Sequence, residues 1–294
     1  MVKRKKPRLS AGDKVFYTVN TAILFFVAFV TAYPLLYVVY KSLTSYRNDP
    51  VTGERHTYFD LGAYSIMFKN DSIFSAFFLT VGVVIVSTVL HILVTVLAAY
   101  AISKKNLPGR KGMLVFVVIT MVFNGGLMPY YVLIGELGLR NNIFVYIIPG
   151  LVSGFNLIIT KNFFTSLPPS LEESAKIDGA DDFKTLFSIV LPMSKPIIST
   201  VALWFAVAKW NDWMTGVLYM SKGKYLLLQN VLRDMLIKSN GMNDALGMGQ
   251  SENYLLMDNV KMAVIVIATV PIVCIYPFVQ KYFIKGVMLG SVKE

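Results

Sequence analysis

The stretch Pro168–Pro196, PPSLEESAKIDGADDFKTLFSIVLPMSKP, decides how the rest of the chain is read. It is too polar to lie in lipid and too heavily punctuated to be an idle connector. Pro168-Pro169 stops any helix arriving from upstream, because proline lacks an N–H and restricts the residue before it. Ser170 with Glu173 three positions on has the form of a capping box, so a short helix is expected to about Asp178. Gly179 suits the left-handed stop, and Asp181 can cap a second helix expected to run to Leu191, where Pro192 ends it. The spacing therefore predicts a helix-turn-helix outside the bilayer. Ala175 allows close backbone approach, while Ile177, Phe183, Leu186, Phe187, Ile189 and Leu191 provide apolar surface suited to a groove on another protein. An ordinary folded loop would carry many of the same signals.

Long apolar runs lie on both sides of this stretch. A spanning helix needs about 20 mostly apolar residues, and six segments approach that, at about 16–40, 76–102, 113–134, 143–160, 197–220 and 260–282. Strand-like alternation is absent, so an all-α, polytopic membrane protein is expected, with six transmembrane helices. Residues 1–15 form a basic N-terminus, 16–282 the membrane domain with the polar loop 161–196, and 283–294 a tail. Lys3-Arg4-Lys5-Lys6 before an apolar run also has the layout of a secretory signal. That run continues through Val39, too long for a signal core, and a retained anchor is expected. The glycine and proline pairs Gly125-Gly126 and Pro149-Gly150 interrupt spans three and four; helix bending and close helix packing both remain open as their cause.

Composition agrees with a membrane chain: 55% of the 294 residues are hydrophobic and 15% charged. The net charge of +11 is distributed at the edges of apolar runs and not in an aromatic-interleaved patch, which argues against a nucleic-acid partner. With the N-terminus inside, 17 of the 28 Lys and Arg residues fall on inner segments and nine on outer ones, which predicts both termini on the cytoplasmic side. The polar segments at about 41–75 and 221–259 then face outward. They are long enough to dock an external partner, or to be plain solvated connectors.

The string Glu173-Ser174-Ala175, three residues, Gly179, nine residues, Ile189, one residue, Leu191-Pro192 resembles the EAA signature of permease subunits of binding-protein-dependent ABC importers. Ser174 stands where that signature usually has a second alanine. Ile177-Asp178-Gly179-Ala180, Trp210-Asn211-Asp212 and Gln280 to Gly286 are similar to the carbohydrate-uptake branch, of the maltose-permease G-subunit type. Phe123 to Tyr130 resembles the subgroup serving complex saccharides, uronate-containing ones included.

The resemblance implies a type I ABC importer permease fold in a bacterial cytoplasmic membrane. It implies a second homologous permease, two cytoplasmic ATP-binding subunits that bind ATP and Mg, an external solute-binding protein and a carbohydrate substrate of oligosaccharide size, moved past membrane lipid. Glu172, Glu173, Ser174, Ala175, Asp178, Gly179, Ala180, Ile189, Leu191 and Pro192 would then make the coupling contact with the ATP-binding subunit, and the tail from Lys285 to Val292 would reach the interface between those subunits. A permease of the same superfamily for a non-sugar solute is the alternative. An intramembrane enzyme, a scaffold subunit and an autonomous secondary transporter are others of different class.

Candidate pathway residues are the polar and aromatic side chains inside spans, since a charge at a helix centre costs on the order of 2.5–3.5 kcal/mol on insertion scales. Lys209 and Asp212, three apart, share a face and can pair. Trp204, Trp210 and Asn211 lie beside them, and Asn124, Tyr130, Tyr131 and Asn156 come from spans three and four. The alternative for all nine is packing against the core or the partner permease. His56 and His91 have no metal-ligand neighbours, His91 reading as a buried histidine with its bonds satisfied, and Cys274 is the single cysteine. With no Gly-rich phosphate loop and no nucleophile-base set, catalytic residues, metal ligands and a cofactor of the chain's own are not expected.

Overall fold

The computed structural model describes residues 10–48, 55–69, 71–221, 224–246 and 259–277, which fall into two compact units. The basic residues before Ser10 and the tail after Pro277 lie outside the described residues.

The first unit contains residues up to 69 and 239–267. Its helix α1 (Ala11–Ser42) opens with the Ser10 N–H donating to the Asp13 carboxylate at 3.0 Å. Almost every α1 side chain is exposed, Phe25 by 74%. That surface cannot stay in water at about 25 cal/mol per Å², so lipid or protein must cover it. Strands β1 (Thr44–Asn48) and β2 (Arg55–Phe59) follow, antiparallel with Thr44 opposite Phe59, then α2 (Gly62–Phe68). The hairpin departs from the all-α expectation, and the polar segment after span one is folded. Ser42 Oγ and Tyr64 Oη bond at 2.7 Å, and Asn259 donates to the Thr44 carbonyl at 2.5 Å, so the hairpin is tied at its base.

The second unit is organised around α3 (Asp71–Ser103). Its buried stripe, Ala76, Thr80, Val83, Ser87, His91, Thr95 and Ala99, repeats every three or four residues and is small or polar. Large side chains such as Phe78, Ile85, Val89 and Leu93 point outward. This is the reverse of a water-soluble helix and suits one surrounded by hydrocarbon, where small residues let helices close up. Ser87 and Thr80 satisfy their hydroxyls on the carbonyls of Val83 and Ala76 at 2.6 and 2.7 Å.

Against that stripe pack α7 (Gly154–Ser166) and α11 (Lys195–Trp210). The expected third span is two helices, α4 (Arg110–Val122) and α5 (Leu127–Glu136), bent by 114°. Gly126 at the bend has φ +83° and ψ 168°, a conformation open essentially to glycine alone. A side chain at Gly125, Gly126 or Gly150 would meet nothing within 4 Å, so no helix among the chain's own described residues packs closely on these glycines. The close approach occurs at Gly154, where a Cβ would lie 2.7 Å from Met121 Cγ on α4.

Expected span four, 143–160, is likewise divided. The short α6 (Phe144–Ile147) and α7 are separated at 148–153, with Gly150 at φ +81°. Expected span five consists of α11 and α12 (Met214–Tyr219), parted at 211–213. Beyond it, α13 (Leu228–Leu246) fills much of the second polar segment, and α14 (Asn259–Pro277) closes the described chain. Among the described residues three helices, α1, α3 and α14, are long and apolar enough to cross a membrane, or up to five if each bent pair is one span.

Candidate functional site

The helix-turn-helix forms, with changes at both ends. Helix α8 (Pro169–Ile177) begins two residues earlier than the capping box requires, with Pro169 in the first turn and no side-chain cap. Proline has no N–H to leave unbonded there and its φ is already helical, so Ser170 lies inside the helix. The C-terminal end is as read. Gly179 has φ +77°, its N–H donates to the Lys176 carbonyl at 3.1 Å, and the Ala180 N–H donates to the Ala175 carbonyl at 2.9 Å. Those two bonds are the Schellman pair, which closes the turn rigidly.

Asp181 then accepts from the Lys184 N–H at 2.7 Å and opens α9 (Asp182–Thr185). Pro192 does not end this helix at Leu191 as expected. Residues Leu186–Val190 form a π turn, the Leu191 N–H bonding back to Leu186, and α10 (Leu191–Met193) carries the chain on through the proline. The wider turn makes room for the ring, which clashes with the carbonyl four residues back in a regular α-helix. The break falls at the buried Ser194, where Asp182–Met193 and α11 meet at 82°.

Two faces of this element differ. Ala175, Leu186 and Val190 are buried, the last two packed with Val96, Ala99, Tyr100 and Phe164. Ala175 is therefore internal and does not offer itself to a partner. Ile177, Phe183 and Phe187 are 87%, 66% and 49% exposed, an apolar knob with Glu173 and Gly179 also at the surface. On the inner side Lys104, just past α3, bonds Glu172 and lies 3.9 Å from the centre of the Tyr100 ring. Burial acts to lower the Lys104 pKa, but hydrogen bonding to Glu172 and Tyr100 outweighs it and raises it above the usual lysine value. A raised lysine pKa means that Lys104 stays charged through neutral pH and gives up its side of the tie as pH rises past lysine's range.

The intramembrane candidates separate into groups. Asn156 is buried and donates to His91 Nε2 at 2.9 Å, while His91 Nδ1 contacts the Leu151 carbonyl at 2.6 Å. A carbonyl only accepts, so Nδ1 carries the proton and Nε2 receives the amide. The ring also stacks on Phe205 with centroids 3.9 Å apart. His91 is thus satisfied, and Asn156 serves it. Trp210 is buried too, donating to the Ala268 carbonyl at 3.0 Å and standing edge-on to Phe77. Trp204 is 40% exposed beside Phe155.

Lys209 Nζ lies 3.9 Å from Asp212 Oδ2, and both side chains are mostly buried. Asp212 also accepts from the Thr215 N–H at 3.1 Å and from its hydroxyl at 2.8 Å, so it opens α12. Asn211 bonds the Val207 carbonyl, and Asn124 receives the Gly126 N–H at the α4–α5 bend. Tyr131 stacks on Tyr219 with centroids 5.6 Å apart, and Tyr130 is exposed by 44%.

Residues 8–288 match the family described as the binding-protein-dependent transport system inner membrane component. The chain belongs to that family. It is 38% identical over 285 residues to the polygalacturonan/rhamnogalacturonan transport system permease protein YtcP of Bacillus subtilis, covering 96% of this chain and 99% of that protein. It is 36% identical over 287 residues to protein LplC of the same organism, covering 96% of each. Among solved structures it resembles a bacterial ABC transporter involved in the import of the acidic polysaccharide alginate. That match has a TM-score of 0.82 and 29% identity over 95% of this chain and 100% of the other.

A binding-protein-dependent inner membrane component is a transport subunit and not an enzyme, with the type I ABC permease fold. Among the described residues no group of His, Cys, Asp and Glu could hold a metal. Within such a subunit the His91–Asn156 pair locks α3 to α7. Asn156→Leu is expected to lower the stability of the purified protein by about 1–3 kcal/mol, the cost of an orphaned buried partner. Thermal unfolding in detergent checks it, and a variant with unchanged stability but altered solute preference would return Asn156 to the pathway. Sequence reading missed Arg140 and Tyr219, which join Tyr131; Gly135, five residues before Arg140, was the available signal.

Proposed function

We propose that this chain is one of two homologous permease subunits lining the pathway of an importer for an oligosaccharide, of the uronate-bearing kind. Two cytoplasmic ATP-binding subunits hold the ATP and Mg and take the helix-turn-helix in a cleft, and an external solute-binding protein delivers the saccharide. The chain crosses the cytoplasmic membrane six times with both termini inside. The pectin-type and alginate systems that it resembles support the substrate class.

The observation that carries this reading is the rigid knob. Ile177, Phe183 and Phe187 are exposed on an element closed by the Gly179 Schellman turn and the Asp181 cap. A lever must be stiff to transmit motion, and this one continues covalently into α11. Asp182–Met193 and α11 form an angled arm with the knob on one limb. Lys209 and Asp212 lie at the far end of the other, about 24 Å along at 1.5 Å per residue. Closure of the ATP-binding subunits on the knob would therefore move the polar break at 211–213, where α11 yields to α12. Glu172 to Ala180, with Ile189, Leu191 and Pro192, form or brace the coupling element, while Lys209, Asn211, Asp212, Trp204, Tyr130 and Tyr131 are the pathway candidates that remain.

Co-expression of the chain with its second permease and ATP-binding subunits tests this. A stable membrane assembly is expected, with ATP hydrolysis stimulated by saccharide-loaded binding protein. Solute uptake by the chain alone, without nucleotide, would overturn it.

A further inference from the structure

One cationic side chain lies outside the site described above, in the connection from α5 to α6. The Arg140 guanidinium sits 4.1 Å over the Tyr131 ring and donates to the Tyr131 carbonyl at 3.2 Å. Tyr131 in turn stacks on Tyr219, the last residue of α12, at an interplanar angle of 19°. Gly135 makes the seat: a Cβ there would lie 2.7 Å from the guanidinium carbon. The next residue, Asn141, has φ +56° and accepts from the Ser221 N–H and hydroxyl at 2.9 and 3.2 Å. The loop that carries the arginine is thereby held to the end of α12. Among the described residues no carboxylate pairs with Arg140, although the chain's ion pairs Lys104–Glu172 and Lys209–Asp212 are formed.

This cluster and the coupling element occupy opposite ends of α3. Leu79 and Val83 pack with Tyr131 and Tyr219, whereas Val96, Ala99 and Tyr100 pack with Leu186 and Val190. From Leu79 to Tyr100 the helix rises about 30 Å, the thickness of a bilayer core. On the end far from the knob, then, an exposed, oriented guanidinium without an acid partner lies over the half-buried Tyr131 ring, which the buried Tyr219 backs. Helix α12 leads from it to Asp212 and Lys209.

We propose that Arg140, seated on Gly135 and framed by Tyr131 and Tyr219, is an entry station that binds the carboxylate of a uronate-bearing oligosaccharide. The planar fork suits a carboxylate bidentately, and the Tyr131 ring, backed by the buried Tyr219, holds the guanidinium in a fixed plane. The inference rests on the importer reading and adds the residue that reads the acid.

The test uses the complete importer in proteoliposomes with two probes, tri-galacturonate and its fully methyl-esterified form, which keeps the shape and removes the charge. Arg140→Gln is expected to lower the ratio of acidic to esterified uptake about tenfold, the scale of one charge-assisted hydrogen bond pair. Arg140→Lys should recover part of it. Gly135→Ala keeps the arginine but displaces its guanidinium, and should lower the same ratio. An unchanged ratio in Arg140→Gln, or equal loss of both probes, overturns the proposal, because the arginine then only staples the loop. A wild-type importer that moves the ester and not the acid overturns it as well. If the wild type moves neither probe and its ATP hydrolysis responds to no saccharide, the importer reading itself fails, and the carboxylate station falls with it.

Discussion

Gly179→Val is expected to reduce ATP-driven uptake at least tenfold while the chain still inserts and assembles its membrane core. Gly179 holds φ +77° with no neighbour near the position of a Cβ, so the demand is conformational and not one of space inside the chain. An L-residue in that region costs about 1–2 kcal/mol, and a β-branched one is a genuine outlier there. Relief of the strain opens the turn, and with it the bonds from Gly179 to Lys176 and from Ala180 to Ala175. Ile177 and Phe183 then lose their fixed separation, which is what a lever needs. At about 1.4 kcal/mol per factor of ten, strain of this size shifts the turn's equilibrium about 5- to 30-fold toward open forms. Gly179→Asn separates two causes, because asparagine tolerates the left-handed region. Near-normal uptake in the asparagine variant, with loss in the valine variant, identifies the turn conformation as the requirement. Equal loss in both points to close approach by the partner. Uptake by the valine variant at the wild-type rate would remove the lever from the mechanism.

Much of this was legible in the sequence because the relevant signals are local. Asp181 caps within four residues and Gly179 closes the turn it follows, so each could be read from its neighbours. Ser170 misled for an equally local reason: Pro169 is itself a good first helical residue, and the helix starts there. Pro192 misled because the π turn before it is set by packing of Leu186 and Val190 against Tyr100 and Phe164, contacts distant in sequence. The breaks at 123–126, 148–153 and 211–213 were marked by Gly126, Gly150 and Asn211-Asp212, but apolar content on both sides disguised them as continuous spans.

Asn156 shows the limit most clearly. A polar side chain in an apolar segment faces either a pathway or another buried polar group, and its partner His91 stands 65 positions away. Arg140 was hidden for the opposite reason. A loop arginine looks solvated until Gly135, Tyr131 and the Ser221 tie are seen to gather around it.

The second large effect is expected from charging the knob. The double variant Ile177→Asp, Phe183→Asp should leave the membrane protein folded and abolish recovery of the ATP-binding subunits on co-purification, a loss of more than about a hundredfold in affinity. Both side chains project outward, at 87% and 66% exposure, so neither contributes to the chain's own core and surface changes of this kind ordinarily move stability by less than about 0.5 kcal/mol. In a cleft the same positions are central anchors, for which truncation alone typically costs 2 kcal/mol or more, and a buried carboxylate without a partner adds to that. Leu186→Ala is the contrast. Leu186 is 1% exposed in the core beneath the knob, and its loss should cost about 2–5 kcal/mol of stability, lowering the amount of folded protein before it affects assembly. If the knob instead rests on lipid headgroups, the double aspartate variant will keep its ATP-binding subunits and lose thermal stability in liposomes. Retention of the subunits at wild-type level would therefore refute docking through Ile177 and Phe183, because two desolvated charges cannot be accommodated at the centre of a packed interface without a measurable penalty.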